Sequence, residues 1–155
     1  MGRRARGRCL PVAARTVLVE EQSIEQVQAA MTAGRATSVD LTRAYLARIA
    51  AMDRKGPTLR SVIALNPDAI AQAKVLDAER RAGRVRGPLH GVPVLIKDNI
   101  ETADPVATTA GSLALAANVT GRDAPLVARL REAVAAEPDK DELRLDLALA
   151  LLRTG

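Results

Sequence analysis

The chain has 155 residues, of which 48% are hydrophobic and 26% are charged, as expected for one ordinary globular domain. It contains one tyrosine and no Phe or Trp, so the core must consist of Ala, Val, Leu and Ile, and no aromatic platform for nucleic-acid bases exists. Five arginines in residues 1–15 account for the whole net charge of +5, which therefore does not indicate a basic nucleic-acid-binding face.

A lone cysteine, Cys9, and a lone histidine, His90, exclude an internal disulfide and a metal site built from several such ligands. No apolar run reaches the roughly 18 residues of a membrane span. We therefore expect neither a nucleic-acid partner nor a membrane partner. Residues 1–20 are expected to form a basic, disordered arm. We expect a cytoplasmic location, although the Arg-rich arm is also compatible with a targeting segment.

Two helices are predicted after this arm. Residues 23–34 begin with an S-x-x-Q capping box formed by Ser23 and Gln26. Residues 37–54, TSVDLTRAYLARIAAMDR, form the second helix, which the initial threonine or serine caps. The apolar stripe predicted for this second helix consists of Leu41, Tyr45, Ile49 and Met52.

A strand that leads directly into a helix comes next, which is typical of an α/β fold. The apolar run SVIAL, residues 61–65, predicts the strand. The helix is predicted over residues 66–83, with Asn66 as its N-cap and Gly83 at its end. A second strand is predicted at VPVLIKD, residues 92–98, where the continuous apolar run indicates burial on both faces.

The rest of the chain is predicted to be a polar loop and two further helices. The loop is ETADPVATTAGS, residues 101–112. A helix over residues 121–137 is capped by Asp123. After Pro138 a capped, Leu- and Ala-rich helix is predicted through Gly155, with no strand beyond about residue 139. The inward-facing residues of the first of these helices are expected to be Leu126, Leu130 and Val134.

Lys97 ends the second strand and is followed at once by Asp98 and Asn99. Such a lysine commonly has no role beyond lying in solvent at the point where a buried strand reaches the protein surface. A second interpretation is a catalytic base, because burial between apolar walls disfavours an ammonium ion and leaves a neutral amine. A neutral lysine can take a proton from a serine hydroxyl, directly or through a second serine. The spacing alone does not choose between the two interpretations.

Three stretches resemble the N-terminal part of the amidase signature family, serine hydrolases that cleave carboxamide C–N bonds. They are GPLHGVPVLIKDN (87–99), TAGSLAL (109–115) and GRDAPLVARLREA (121–133). The predicted upstream helices and first strand also fit the opening elements of this family. The resemblance spans about residues 23–133 without gaps. It implies an α/β fold, namely the N-terminal fragment of a mixed-sheet α/β/α architecture, with a helical C-terminal tail.

The resemblance also implies the roles of individual residues. The family uses a serine, a second serine in a cis peptide bond, and a lysine, and the lysine's role falls on Lys97. Asp98 is expected to shape the loop through hydrogen bonds, and His90 to be a turn residue and not a base. No metal or other cofactor is implied, because a serine hydrolase needs none. The supporting or substrate-loop candidates are Asp98, Asn99, Thr108, Thr109, Gly111 and Ser112, and Ser112 is not the matching nucleophile.

Both family serines lie in a Gly- and Ser-rich loop downstream of the lysine, and this sequence has no such loop. We therefore divide the chain into a partial amidase domain, residues 21–134, and a helical tail, residues 135–155, that weakly resembles a tetratricopeptide-type repeat. The expected function is amide hydrolysis on a small-molecule substrate by the complete enzyme, with this fragment inactive alone. The alternative is a non-catalytic helical interaction module or a fusion remnant. Unpaired sheet edges also predict self-association.

Overall fold

A computed structural model describes residues 17–132 and 151–154. A π-helical turn, Ile49–Asp53, continues the second helix, and a 3-10 turn, Leu113–Leu115, lies in the last long loop. No helix in the described part of the chain is long and apolar enough to cross a membrane. The helices are α1 (Ile24–Thr32), α2 (Ser38–Arg48), α3 (Ala69–Arg81) and α4 (Pro125–Glu132), and the strands are β1 (Val62–Leu65), β2 (Val94–Lys97) and β3 (Leu151–Thr154).

The N-termini of α1 and α2 are capped as the sequence predicts. The Ser23 hydroxyl accepts the Gln26 N–H at 3.3 Å, and the Gln26 side chain accepts the Ser23 N–H at 2.8 Å. In α2 the cap is Thr37, which makes the reciprocal pair with Asp40. Each cap satisfies backbone N–H groups that lack helical partners, which stabilises a helix by about 1 kcal/mol.

The apolar stripe predicted for α2 is wrong at its last position. Met52 is exposed, and its neighbour Asp53 is buried instead. The π-helical turn over Ile49–Asp53 explains the difference, because the wider turn rotates every following side chain away from the α-helical register. A buried carboxylate is stable here because Asp53 Oδ1 accepts the Ser61 hydroxyl at 2.9 Å and the Val62 N–H at 3.2 Å.

The start of α3 also differs from the prediction. The helix begins at Ala69, and its N-cap is Asp68, not Asn66. Asn66 instead forms a turn, in which its side-chain oxygen accepts the Asp68 N–H at 2.9 Å. Gly83 closes the helix region in a left-handed conformation with φ of 75°, as expected for a residue that follows a helix.

The inward face predicted for α4 is confirmed at Leu130 and wrong at Leu126. Leu126 is exposed, and Val127 is the fully buried residue of the first turn. Val127 and Leu130 are three residues apart and so lie on one helical face. They pack against Leu89 and Ile96, which join α4 to the sheet. Val134 lies outside the described residues.

The three strands form one mixed sheet in the order β1-β3-β2. Strand β3 pairs antiparallel with β1 and parallel with β2. The predicted helix through Gly155 is therefore wrong at Leu151–Thr154, and so is the expectation of no strand after residue 139. A strand at this place gives β1 and β2 backbone hydrogen-bond partners, and such pairing overrides the helical preference of a Leu- and Ala-rich segment. The remainder of the predicted tail lies outside the described residues.

The expectation that both faces of β2 are buried is also wrong. Ile96 is buried against α4, whereas Leu95 and Lys97 are exposed. The strand therefore has the alternating pattern of a sheet with one covered face, because successive side chains point to opposite sides. A continuous apolar run does not by itself distinguish a strand that is covered on both faces from one that is covered on one face.

A second small core lies between the first two helices. Its buried residues are Val27 and Met31 of α1, Ala36, and Leu41 of α2. Val92 packs against this cluster and also against the cluster around Ile96. The segment that leads into β2 therefore connects the two cores just before the strand begins.

Candidate active site

Lys97 is the last residue of β2 and its side chain is exposed. The strand stops in a turn, since the Lys97 carbonyl accepts the Ile100 N–H at 3.0 Å. Apolar walls do not enclose the ammonium group within the described part of the chain. The structure therefore places Lys97 where the sequence predicts it, at a strand end, but without the burial that a base would need.

Asp98 is only 2% exposed and organises the loop that returns to the strand. One carboxylate oxygen accepts the Thr109 N–H at 3.3 Å, and the other accepts the Thr109 hydroxyl and, at 3.4 Å, the Gly111 N–H. The Asp98 main-chain carbonyl accepts the Ala110 N–H at 3.3 Å. This one residue thus holds three consecutive residues of the loop against the end of β2.

The loop residues that Asp98 holds form a tight turn. The Ser112 N–H donates to the Thr109 carbonyl at 2.8 Å, which closes the turn. Both central residues have positive φ angles, 47° at Ala110 and 76° at Gly111, as in a type I′ turn. Glycine adopts this conformation freely, but alanine is strained in it by roughly 1–2 kcal/mol.

A cleft of about 220 Å³ separates the strand end from this turn. Four of the predicted site residues line this cleft. Thr109 does not line it, but its hydroxyl donates a hydrogen bond to the lining residue Asp98. Ser112 is exposed just beyond the cleft. Ala110 is the lining residue that the sequence did not indicate, because nothing in its chemistry distinguishes it from any other loop alanine. The lining residues are Lys97, Asp98, Asn99, Ala110 and Gly111.

Thr108 is buried one residue before the turn. Its N–H donates to the Asn118 carbonyl at 2.9 Å, and its own carbonyl accepts the Asn118 side-chain N–H at 3.0 Å. Its hydroxyl has no hydrogen-bond partner among the described residues. Thr108 therefore fixes the loop through its backbone, and it does not line the cleft.

The long loop that contains the turn is closed at its base. Glu101 binds Arg122 through two hydrogen bonds, at 2.7 and 2.9 Å, and the Glu101 carbonyl accepts the Ala124 N–H at 3.0 Å. Asp123 accepts the Ala103 N–H at 2.7 Å, which adds a second link between the start of the loop and the segment before α4. The hydrogen bond from Arg122 lowers the pKa of the Glu101 carboxyl below its ordinary value. The cleft wall is thereby anchored to the start of α4.

His90 is 1% exposed and lies away from the cleft lining. Burial lowers the pKa of its imidazole, and the nearby Arg80 and Arg86 lower it further. The His90 carbonyl accepts hydrogen bonds at 3.0 Å from Gln28 and from Arg80. Its position in a turn before Gly91 agrees with the prediction, but the sequence did not indicate that the ring would be buried.

The described residues contain no group of three or more His, Cys, Asp or Glu side chains arranged to hold a metal ion. The candidate chemistry of the cleft therefore comes from one lysine, one exposed asparagine and a buried carboxylate whose oxygens face backbone and hydroxyl donors.

Comparison with known proteins identifies the class of this α/β fold. The family model described as Amidase matches residues 40–136, and the chain therefore belongs to the amidase family. A protein of Schizosaccharomyces pombe named as an amidase is 43% identical over 117 residues, which are 76% of this chain and 20% of that protein. A glutamyl-tRNA(Gln) amidotransferase subunit from Chloroflexus aurantiacus is 46% identical over 109 residues, which are 70% of this chain and 22% of that protein.

Solved structures agree with the assignment. The peptide amidase of Stenotrophomonas maltophilia superposes with a TM-score of 0.71 at 50% identity, over 88% of this chain and 24% of that chain. An amidase family protein of Bacillus anthracis superposes with a TM-score of 0.74 at 31% identity, over the same shares of 88% and 24%. The α/β amidase fold expected from the resemblance is thus confirmed. The chain spans about a fifth to a quarter of the length of these relatives.

Proposed function

We propose that this chain is the lysine-bearing part of an amidase that hydrolyses carboxamide C–N bonds, with Lys97 as the base of a serine–cis-serine–lysine site. The observation that supports it best is the position of Lys97, at the end of β2 and in an open cleft inside the matched region. Asp98 and Gly111 belong to the same cleft, and Asp98 also holds Thr109. Asn99, exposed at the same end of β2, would contact the substrate or the partner serines.

The proposed chemistry needs three groups that act in sequence. A neutral lysine amine takes a proton from the second serine, which in turn deprotonates the nucleophilic serine. The nucleophile attacks the amide carbon, the amine leaves with a proton returned from the lysine, and water then releases the acyl group. Ser112 is the last serine of the sequence, and no Gly- and Ser-rich loop follows it. Both serines of the proposed site would therefore lie outside residues 1–155.

The substrate class stays broad. Two of the named relatives differ, one being a peptide amidase and the other an amidotransferase subunit named for glutamyl-tRNA(Gln). Aliphatic, aryl and peptide amides all contain the carboxamide C–N bond that the proposed site would cleave. We propose a small-molecule amide as the substrate of the complete enzyme, in the cytoplasm, without a nucleic-acid or membrane partner. Fluorescent fusions with and without residues 1–20 would reveal whether the basic arm directs the protein elsewhere.

A chimera tests the function directly. Residues 23–133 would replace the corresponding region of the S. maltophilia peptide amidase, and ammonia release from a peptide amide would be measured. We expect activity that Lys97→Ala and Lys97→Arg each reduce by at least about 1000-fold, because a guanidinium cannot act as a base. Lys74→Ala, at an exposed position of α3, is the matched control and should leave activity unchanged. A chimera that is active with Lys97→Ala would exclude the proposed role.

Self-association is a further part of the proposal. The described sheet has three strands, so β1 and β2 are its outer strands. Outer strands expose backbone N–H and carbonyl groups that can pair with another chain. We expect the isolated chain to elute above its monomer mass of 16.4 kDa in size-exclusion chromatography with light scattering. Monomeric elution at all concentrations would contradict this.

A further inference from the structure

A buried polar cluster lies apart from the candidate cleft, beside the turn between β1 and α3. Asp104 and Asn66 are each 4% exposed, although they are 38 positions apart in the sequence. Asp104 Oδ1 accepts the Asn66 side-chain N–H at 3.1 Å and the Gln72 side-chain N–H at 2.8 Å. The Asn66 amide also donates to the Gln72 side-chain oxygen at 3.2 Å. We call these three residues the amide–carboxylate cluster.

Strand register places this cluster at the end of the sheet opposite to the candidate site. Lys97, the last residue of β2, and Val62, the first residue of β1, both pair with Thr154 of the central strand. Because β1 runs antiparallel to the central strand and β2 runs parallel to it, β1 ends near the level at which β2 begins. Asn66 follows directly after β1. The cluster is therefore separated from Lys97 by the length of β2.

The loop that carries the site turn is thus held at both ends of the sheet. The chain leaves Lys97, reaches the cluster at Asp104, and returns to Thr109, whose N–H donates to Asp98 at 3.3 Å. Both aspartates are buried. Four residues, 105–108, separate Asp104 from Thr109, and this segment can span at most about 18 Å. Because the segment is short and both of its ends are fixed, the position of one end restricts the position of the other.

We propose that Asp104 is a positioning residue for the proposed amidase site. Bound to Asn66 and Gln72, it fixes the far end of residues 104–109 and thereby sets where the turn at Thr109 stands against Lys97. The inference rests on the proposed function. Asp104 acts without touching the substrate, because it does not line the cleft.

The chemistry of the cluster favours positioning over stability alone. A carboxylate is costly to bury, and well-packed apolar side chains commonly fill such a place with equal or greater stability. Hydrogen bonds to a carboxylate are directional and short, so they fix a distance and an angle that apolar contacts leave adjustable. Asp98 shapes the turn through its own hydrogen bonds, and Asp104 sets the place to which that turn is delivered.

Exchanging the two side chains tests the contact in the full 155-residue chain. Asn66→Asp alone removes the amide donor and puts a second carboxylate beside Asp104. The double variant Asn66→Asp, Asp104→Asn restores one amide and one carboxylate at the same two places. We expect hydrogen exchange at the Thr109, Ala110 and Gly111 N–H groups to become at least about 10-fold faster in the single variant, and to return to within about 2-fold in the double variant.

A buried aspartate elsewhere supplies the matched control. Asp53 is 3% exposed and accepts the Val62 N–H at the start of β1, away from the cluster. Asp53→Asn should speed exchange in the turn and in α1 by the same factor, because it lowers only the global stability. Asn66→Asp should speed exchange in the turn selectively. Equal acceleration of the turn and of α1 in Asn66→Asp, or no recovery in the double variant, would overturn the proposal.

The chimera with the S. maltophilia peptide amidase gives the functional measurement. Asn66→Asp should lower its kcat/KM by about 10-fold, because a small displacement of a site wall is costly in rate, and the double variant should restore it. An unchanged kcat/KM in Asn66→Asp would overturn the positioning role. A chimera that is inactive without any substitution would contradict the proposed function, and hydrogen exchange would still decide whether Asp104 fixes the turn.

Discussion

His90 Nε2 lies 3.0 Å from the main-chain carbonyl oxygen of Leu76 in α3. A carbonyl can only accept, so Nε2 carries the proton and donates it. The other ring nitrogen, Nδ1, then accepts the Arg86 N–H at 3.4 Å. Both nitrogens of a neutral imidazole are thus used, and the ring joins α3 to the segment that leads into β2. A charged ring would need to donate from Nδ1 as well, toward a backbone N–H.

This geometry predicts how stability depends on pH. Burial lowers the pKa of folded His90, so the unfolded chain takes up a proton at a higher pH than the folded chain does. Stability is therefore fully present above the ordinary histidine pKa of about 6.5, and it falls as pH drops below that value by up to ~1.4 kcal/mol per unit. Urea unfolding at pH values from 8 to 5.5 would measure this decrease.

His90→Gln supplies the control for the pH experiment. The chain has no other histidine, so the slope between pH 7 and 5.5 should flatten in this variant. The lowered pKa of Glu101, caused by Arg122, acts in a separate window at lower pH, where protonation of the carboxylate removes the stabilisation. If the slope between pH 7 and 5.5 is unchanged in His90→Gln, the histidine does not cause the pH dependence of the free energy of unfolding.

Asp98→Asn should loosen the turn beside the cleft. The carboxylate accepts hydrogen bonds from Thr109 and from the Gly111 N–H, whereas an amide offers only one acceptor oxygen. We expect a loss of about 1–3 kcal/mol in the free energy of unfolding and faster hydrogen exchange at Thr109, Ala110 and Gly111. Asn99→Ala is the control, because the exposed Asn99 side chain should change stability by less than about 0.5 kcal/mol. Unchanged hydrogen exchange at these three residues in Asp98→Asn would contradict the conclusion that the Asp98 carboxylate holds the turn.

Sequence patterns predicted the elements of this fold where local chemistry decides them. The capping box of Ser23 and Gln26 and a cap at Thr37 or Ser38 were predicted because a cap and its helix lie close in sequence, whereas the reciprocal bond from Asp40 to Thr37 was not predicted. The strand predicted over residues 92–98 from its apolar run is observed over Val94–Lys97, so its end was predicted to within one residue. For the candidate site, the resemblance predicted Lys97 and Asp98, and the structure brings both to one cleft.

Features that depend on distant parts of the chain were not predictable in this way. Strand β3 forms because β1 and β2 offer it backbone partners, which nothing in the Leu-rich sequence of Leu151–Thr154 signals. The exposure of Leu95 depends on what covers the sheet, and the burial of Asp53 on a π-helical turn. The wall residue Ala110 was missed because its positive φ angle results from the hydrogen bonds that Asp98 makes to its neighbours.

Gly91→Ala should destabilise the chain more than a comparable glycine substitution elsewhere. Gly91 has a φ of 81°, and an added Cβ would lie 3.1 Å from the Ser38 Cβ. Gly83 has a similar φ of 75°, but an added Cβ there meets nothing within 4 Å. Both variants bear the left-handed strain of roughly 1–2 kcal/mol, and only Gly91→Ala adds overpacking, of typically about 1–3 kcal/mol. Thermal unfolding of the two variants would measure the difference, and equal losses would exclude a close contact at Gly91.

Ala110→Gly should stabilise the chain, in contrast to most alanine-to-glycine changes. Ala110 has a φ of 47°, so glycine would remove a strain of roughly 1–2 kcal/mol. The greater freedom of glycine in the unfolded chain offsets about 0.4–1 kcal/mol of this. The net gain in the free energy of unfolding, measured in urea, should be about 0.5–1 kcal/mol.

Ala78→Gly is the matched change, because Ala78 is exposed within α3, where glycine costs about 1 kcal/mol relative to alanine. The two variants should therefore move stability in opposite directions although the chemical change is identical. If both destabilise the chain, Ala110 does not occupy the left-handed conformation in solution, and the turn beside Lys97 has a different shape. If the signs differ as expected, the cleft wall is held against local backbone preference by the hydrogen bonds of Asp98.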